Sequence, residues 1–408
     1  MRAEIIAVGT ELLLGQIVNT NAQYLAKQLA DLGITLHYQT VVGDNPQRLK
    51  LALETAWNRA ELVLLTGGLG PTQDDLTKET VAEYLQLPMV LHKDILVEIQ
   101  AYFQRMGRPF TDNNRKQAEF PEGSRIIPNH NGTAPGCIME QEGKIAVVLP
   151  GPPRENIPMF EETVKPYLRE QSDIQIFSRT VHIFGIGEAS LETMLADLTE
   201  GTDPTVATYA KDGEVEVRVS SAAMSKEQAM EKIEPVLEKI RQRAGEAIYG
   251  YDDTSIVECV LEELKQRGWK LATAESCTGG MISSAIVDIS GSSEVLQAGY
   301  VTYANEAKQK MVGVKAETLA RFGAVSEQTA REMAEGARRA ADVEIAVSVT
   351  GIAGPGGGSK EKPVGLGYIA VATPEKTVCQ EFHFSGNRMK VRTLMMKNAL
   401  KMVLDQVK

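Results

Sequence analysis

Along the first 150 residues, short β-branched apolar runs alternate with stretches whose apolar positions recur every three or four residues. Ile5-Ile6-Ala7-Val8, Leu62-Val63-Leu64-Leu65 and Ile145-Ala146-Val147-Val148-Leu149 read as strands, and Ala22 to Leu32 belongs to an amphipathic helix. That alternation makes βα units, which assemble into a mainly parallel sheet. From Gln171 to Gly250 the rhythm changes to alternating strands, Thr180 to Phe184 and Val215 to Ser220, followed by a charged helix from Lys226 to Ala244. A polar joint, Gly250-Tyr251-Asp252-Asp253-Thr254-Ser255, then leads into a helix and a second α/β unit. Its strands are predicted at Lys270 to Ala274, Ala298 to Tyr303, Ile345 to Val349 and Gly367 to Val371, and a terminal helix begins near Met389. The predicted fold is α/β: two α/β domains with mainly parallel sheets, 1–168 and 251–408, joined by a small α+β domain at 169–250.

A chain of 408 residues exceeds what one core usually organises, which agrees with several domains. The four cysteines, Cys137, Cys259, Cys277 and Cys379, form no CxxC pair, so neither a disulfide framework nor a zinc ribbon is indicated. Met1-Arg2-Ala3-Glu4 runs straight into a strand, and no apolar stretch approaches the ~20 residues that cross a bilayer. A soluble, cytoplasmic protein without membrane contact is expected. A net charge of -11 argues against direct nucleic acid binding, because such proteins cluster Lys and Arg against phosphates. A small phosphorylated ligand needs only a local site.

The loops that follow predicted strands carry the chemistry. Thr66-Gly67-Gly68-Leu69-Gly70-Pro71 and Thr350-Gly351-Ile352-Ala353-Gly354-Pro355 repeat one device without similarity around them, since glycines let backbone amides approach a phosphate. After the first of these, Asp74 and Asp75 offer carboxylates suited to a hard cation, although adjacent acids on a loop are more often solvated or capping. Ala274-Glu275-Ser276-Cys277-Thr278-Gly279-Gly280 turns from strand to helix, so a hydroxyl there is either a nucleophile near helix amides or a helix cap. In Tyr303-Ala304-Asn305-Glu306-Ala307-Lys308, Asn305 is a candidate N-cap, which puts Lys308 in a first turn where the dipole lowers a lysine's proton affinity. Such a lysine could deprotonate a serine; the alternative is an ordinary exposed lysine. Cys277 is the rival nucleophile, but no histidine lies in these motifs to activate it.

The segments AESCTGG, VTYANEAK, GAVSE and TGIAGPGGGSKEKPVG resemble the nicotinamide mononucleotide deamidase domain, which occurs alone or as the C-terminal half of proteins of the competence/damage-inducible CinA family. The resemblance implies Ser276 as nucleophile, Lys308 as its base and Tyr303 as an assisting residue, with Thr278, Gly279, Thr350, Gly351 and Gly354 at the substrate. It implies covalent amide hydrolysis with no cofactor. The TGGLGPTQDDLT segment, with IVNTNAQYLAKQL and LPGPPRE, resembles the molybdopterin-binding-like N-terminal half of the same family. That half is associated with ADP-ribose hydrolysis supported by a divalent metal ion, and relatives of its fold handle molybdopterin. By resemblance Asp74 and Asp75 are metal or catalytic carboxylates, Gly67, Gly68 and Gly70 cradle phosphate, and Arg154 is a phosphate ligand. The family also implies a homodimer, and a regulatory or competence role is the competing class.

Overall fold

The protein is described from a computed structural model, which covers residues 1–171 and 175–408. The chain divides into two compact units, Met1–Ser178 with Ser220–Lys232, and Arg179–Val219 with Ile233–Lys408.

In the first unit the strands are β1 (Arg2–Val8), β2 (Thr35–Val42), β3 (Leu62–Thr66), β4 (Met89–Leu91), β5 (Glu119–Pro121), β6 (Arg125–Ile127), β7 (Gly136–Gln141) and β8 (Lys144–Leu149). Six of them form one sheet in the order β2-β1-β3-β8-β7-β6. β1, β2, β3 and β8 run parallel, and β7 and β6 are added antiparallel. Every residue of β3 is buried, the signature of a parallel strand covered on both faces. Neighbouring side chains of β1 go to opposite faces: Ile5 packs with Leu25, Leu29 and Phe160, whereas Ile6 packs with Leu49, Leu53 and Val81. The helix Thr20–Asp31 is capped by Asn19, whose side chain accepts from the Ala22 amide. Because β1, β3 and β8 are parallel, the loops after Val8, Thr66 and Leu149 share one edge, where open α/β sheets bind ligands.

The small sheet has the order β10-β11-β9-β12, from β9 (Gln175–Phe184), β10 (Thr205–Lys211), β11 (Glu214–Ala223) and β12 (Ile248–Tyr251). Its helices are Glu188–Thr199 and Lys226–Ala244, the latter with the predicted bounds. The helix Glu188–Thr199 and strand β10 have no counterpart in the predicted pattern, although Leu191, Met194, Leu195 and Leu198 recur at helical spacing.

The last sheet contains β13 (Leu271–Glu275), β14 (Leu296–Val301), β15 (Ile345–Gly351), β16 (Leu366–Ala372) and β17 (Thr377–His383), in the order β14-β13-β15-β16-β17. β13 is parallel to β14 and β15, while β16 and β17 return antiparallel. One face packs against Glu327–Ala341 through Met333 and Ala337, and the other against Ile256–Arg267 and Arg388–Val407. The chain is therefore α/β, with its two larger sheets parallel at their centres and extended antiparallel at one side. β14 ends at Val301, two residues before the predicted bound, so Thr302 and Tyr303 lie in the connection to the next helix.

Candidate functional site

All five residues of β13 are buried, and the Ser276 amide donates to the Val349 carbonyl at 2.9 Å, holding the chain against β15 for one more residue. Gly279 and Gly280 then take positive φ values of 63° and 91°, a region open to glycine, and reverse the chain. The helix Met281–Val287 starts from Gly280 without any side-chain cap. Neither Ser276 nor Thr278 caps it, which removes the capping alternative. Two of the helix amides have another duty. Ile282 N and Ser283 N donate to the Glu275 carboxylate at 3.0 and 2.9 Å, so these amides are already occupied.

From β14 the chain reaches Thr302, whose amide donates to the Glu275 carbonyl at 2.8 Å. The next helix is Asn305–Val312 with Ala304 as its N-cap, so Asn305 is the first helical residue rather than the cap. Lys308 is the fourth, and its amide makes the first intrahelical bond, to Ala304 O at 3.1 Å. Its side chain turns inward and the residue is 1% exposed, which excludes the ordinary surface lysine. Lys308 Nζ lies 3.1 Å from Ser276 Oγ, 2.8 Å from Thr302 O and 3.2 Å from Tyr303 O. All three oxygens are neutral groups, and burial pushes the Lys308 pKa below the ordinary lysine value. Tyr303 meets this lysine through its backbone carbonyl, while the residue is 64% exposed.

Cys277 sits beside the serine but faces the interior. Its thiol donates to Met395 Sδ at 3.2 Å, and burial pushes its pKa up to about 11. A thiol so far from ionisation at neutral pH is a poor nucleophile. The carbonyls of Cys277 and Thr278 accept from Arg392 Nε and Nη2 at 3.1 and 2.6 Å. Thr278 Oγ1 and Thr302 Oγ1 are buried without a protein partner.

In the glycine-rich loop the predicted substrate contacts carry structural duties as well. Thr350 Oγ1 donates to Ala324 O at 2.7 Å, tying the end of β15 to the GAVSE segment. A Cβ on Gly351 would stand 2.6 Å from Met395 Cε and 2.8 Å from Leu366 O. Gly354 has φ 76°, and its carbonyl accepts from Arg388 Nη1 at 2.7 Å. Lys362 Nζ donates to Phe322 O and Val325 O, each at 2.7 Å. Lys362, Arg388 and Arg392 thus donate to backbone carbonyls around these loops, keeping positive charge available to an anion.

In the first unit Gly67, Gly68 and Gly70 are places of close approach. Added Cβ atoms would lie 2.1 Å from Val8 O, 2.1 Å from Thr77 Oγ1 and 2.4 Å from Asp75 Oδ2, respectively. The Thr72 amide donates to Asp75 Oδ2 at 3.0 Å, and the Thr72 hydroxyl to Asp74 Oδ1 at 2.5 Å. The Thr72 hydroxyl, then the backbone, hold Asp74 below the usual aspartate value. Lys116 Nζ fastens the turn through Thr72 O and Asp75 O, both at 2.5 Å. Among the described residues no group of three or more His, Cys, Asp or Glu gathers to hold a metal ion, so Asp74 and Asp75 stand as a pair. Arg154 is apart from this loop's contacts: its side chain is 81% exposed and lies 3.9 Å from Glu155.

Residues 4–170 match the family described as "Probable molybdopterin binding domain", 178–250 the damage-inducible protein CinA KH domain, and 253–407 the CinA C-terminal domain. A competence-damage inducible protein of Caldanaerobacter subterraneus subsp. tengcongensis is 54% identical over 403 residues, covering 99% of this chain and 98% of that one. One from Acetivibrio thermocellus is 52% identical over 404 residues, again covering 99% and 98%. The chain belongs to the CinA family. The crystal structure of a competence/damage inducible protein from Agrobacterium tumefaciens is similar to a CinA-family segment of 38% of this chain and 94% of its own, at 43% identity and a TM-score of 0.37.

In this CinA-family chain the structure brings Ser276 and Lys308 into contact across 32 positions of sequence. Glu275 was missed although it adjoins the serine, because its role depends on a carboxylate folding back over the next helix. Arg392 and Met395 were missed for a different reason. They belong to a helix over a hundred residues away whose periodicity announces only a buried face. Among the described residues no helix is long and apolar enough to cross a membrane.

Proposed function

We propose that this CinA-family chain hydrolyses the carboxamide of nicotinamide mononucleotide through Ser276 and Lys308. The observation that carries this reading is the 3.1 Å contact between Lys308 Nζ and Ser276 Oγ in a buried setting that favours the neutral amine. A neutral lysine has two N–H groups and one lone pair. Thr302 O and Tyr303 O accept the two hydrogens, and the lone pair is left for the serine hydroxyl. Ser276 Oγ attacks the carboxamide carbon as its proton passes to Lys308 Nζ; the C–N bond then breaks and Lys308 returns that proton to the departing nitrogen, giving ammonia. Water adds to the acyl-serine, giving Lys308 a proton, and nicotinate mononucleotide leaves as Ser276 regains its hydrogen. The nucleotide's phosphate accounts for the cations around the loops. Ammonia release from nicotinamide mononucleotide tests the reading: Ser276→Ala abolishes it, and Cys277→Ala keeps most of it. An acyl group trapped on Cys277 and located by mass spectrometry overturns it.

A second activity, metal-dependent hydrolysis of ADP-ribose, is supported in the first unit by Asp74 and Asp75 lying together on the loop at the sheet's carboxyl edge. Two carboxylates without further protein ligands suit a magnesium-like ion, which keeps waters and completes its shell with substrate phosphate oxygens. When bound, such an ion neutralises charge developing on the pyrophosphate. Thorough chelation and Asp75→Asn should each stop ADP-ribose turnover without touching ammonia release. Turnover that survives chelation overturns the metal assignment, and molybdopterin binding without hydrolysis is the competing reading of this unit. The four cysteines are free thiols, which supports a cytoplasmic setting.

A further inference from the structure

The connection from β14 to the helix Asn305–Val312 carries a hydroxyl that the proposed reaction leaves unused. In the parallel pair of β13 and β14, Ala274 lies beside Tyr300 and Glu275 beside Val301. The Thr302 amide extends that ladder through its bond to Glu275 O at 2.8 Å, which sets Thr302 beside Ser276. Side chains alternate along a strand, so Ser276 follows Ala272 and Ala274, and Thr302 follows Tyr300, onto one face of the sheet. On that face Ala272, Ala274 and Tyr300 pack with Val312, from the helix that carries Lys308. The Ser276 and Thr302 hydroxyls thus share a face on neighbouring chain segments, about 5 Å apart. Lys308 Nζ touches both residues, Ser276 Oγ at 3.1 Å and Thr302 O at 2.8 Å.

Thr302 is fully buried between the exposed Val301 and Tyr303, and among the described residues its Oγ1 has no partner. Its own backbone is spent, the N–H on Glu275 and the C=O on Lys308. A buried hydroxyl in that condition is costly unless a ligand or an ordered water supplies the missing bond. Two hydroxyls at strand spacing leave room for one oxygen or nitrogen atom within hydrogen-bond distance of both.

We propose that Thr302 Oγ1 holds the water that hydrolyses the acyl-serine, next to the Lys308 amine. The inference rests on the deamidation reading. The water oxygen bonds to the acyl carbon while one of its hydrogens passes to Lys308 Nζ and the other is held by Thr302 Oγ1. The bond from that carbon to Ser276 Oγ then breaks, and Lys308 returns its proton to Ser276 Oγ. The second hydrogen stays on the product carboxyl group and is lost to solvent. The substrate carboxamide is positioned by the ring and phosphate attached to it, whereas a water has no other tether. Loss of the Thr302 hydroxyl therefore falls on deacylation and spares acylation.

Rapid-quench measurement of ammonia release from nicotinamide mononucleotide by the full chain, with intact-mass spectrometry of the quenched protein, tests this. Thr302→Val keeps the shape and removes the hydroxyl. It should release ammonia in a burst equal to the enzyme concentration, followed by a steady rate at least about tenfold below wild type, with the acyl group accumulating on the protein. Slow deacylation lowers kcat and KM together, so kcat/KM should stay within about threefold of wild type. Thr302→Ser should restore the steady rate. If the valine variant does not fold, Thr302→Ala should give the same burst. An unchanged kcat without acyl accumulation overturns the proposal. So does a fall in kcat/KM as large as the fall in kcat with no burst, which would place the hydroxyl in acylation or in the fold. A wild type that releases no ammonia overturns the deamidation reading and this inference with it, whereas normal turnover in both wild type and Thr302→Val overturns this inference alone.

Discussion

Under the proposed reaction, Lys308 concentrates the chemistry of the C-terminal unit in one side chain. The motif suggested a lowered proton affinity from the helix dipole; the structure attributes the lowering to burial, with three neutral oxygens around Nζ. A base must be neutral before attack, so kcat/KM for deamidation should fall on acidification, through a group titrating below the ordinary ~10.4. Lys308→Arg should be nearly inactive, because arginine keeps its proton. Retained turnover in that variant would reassign the base. Stability carries a second signature. The unfolded chain holds the Lys308 proton to a higher pH than the folded chain does, so folding stability rises with pH between the lowered value and the ordinary one. Urea denaturation of the wild type should therefore gain on Lys308→Met from pH 7 to pH 9.5, and a constant difference between the two would contradict a lowered folded-state value. The absence of a histidine from the motif around Cys277 was legible, but the burial that pushes its thiol's pKa up was not, since it depends on Met395 from a distant helix.

At the level of elements, strand order along the chain and the positions of the chemical loops were legible because parallel strands covered on both faces are nearly continuous apolar runs, as β3 is. The antiparallel return of β16 and β17 was not, since an apolar run does not state its direction. Helix starts depend on finer terms. Asn305 looks like a cap by residue type, yet Ala304 takes that position with no side-chain bond at all. The strand-to-helix turn at Ser276 shows what replaces a conventional cap. Glu275, fully buried, accepts from Ile282 N, Ser283 N and Ser283 Oγ at 3.0, 2.9 and 2.9 Å. Glu275→Ala leaves two amides without their acceptor and should cost about 3 kcal/mol of folding stability, measured by urea denaturation. Glu275→Gln retains one acceptor oxygen and should lose less. If both variants match the wild type, the carboxylate does not hold this turn.

On the scale of the molecule, the unit that contains Ser276 also includes the hairpin between β10 and β11, and their contact predicts how the chain can be cut. Glu214 pairs with Lys397 at 2.8 Å and accepts from the Tyr249 hydroxyl at 2.7 Å, while Lys390 lies 3.1 Å from Asp212. Phe184 and Tyr249 share one apolar core with Val260, Leu264, Leu400 and Val403. A fragment beginning at Asp252 loses all of these partners, uncovering part of that core and leaving Lys397 without its carboxylate. It retains the Ser276 to Lys308 contact, the Arg392 bonds to the nucleophile loop and the Met395 packing, which lie wholly within residues 252–408. Its kcat for deamidation should therefore stay within about threefold of that of a fragment beginning at Arg179. Its Tm should be lower by roughly 10 °C, the shift that about 3 kcal/mol produces in a domain near 150 residues. Equal melting temperatures would mean that the hairpin contributes nothing to the stability of the C-terminal core. A large fall in kcat with little change in Tm would mean instead that Glu214 and Tyr249 act on the site through the helix Arg388–Val407, whose other contacts hold Cys277 and Thr278 in place.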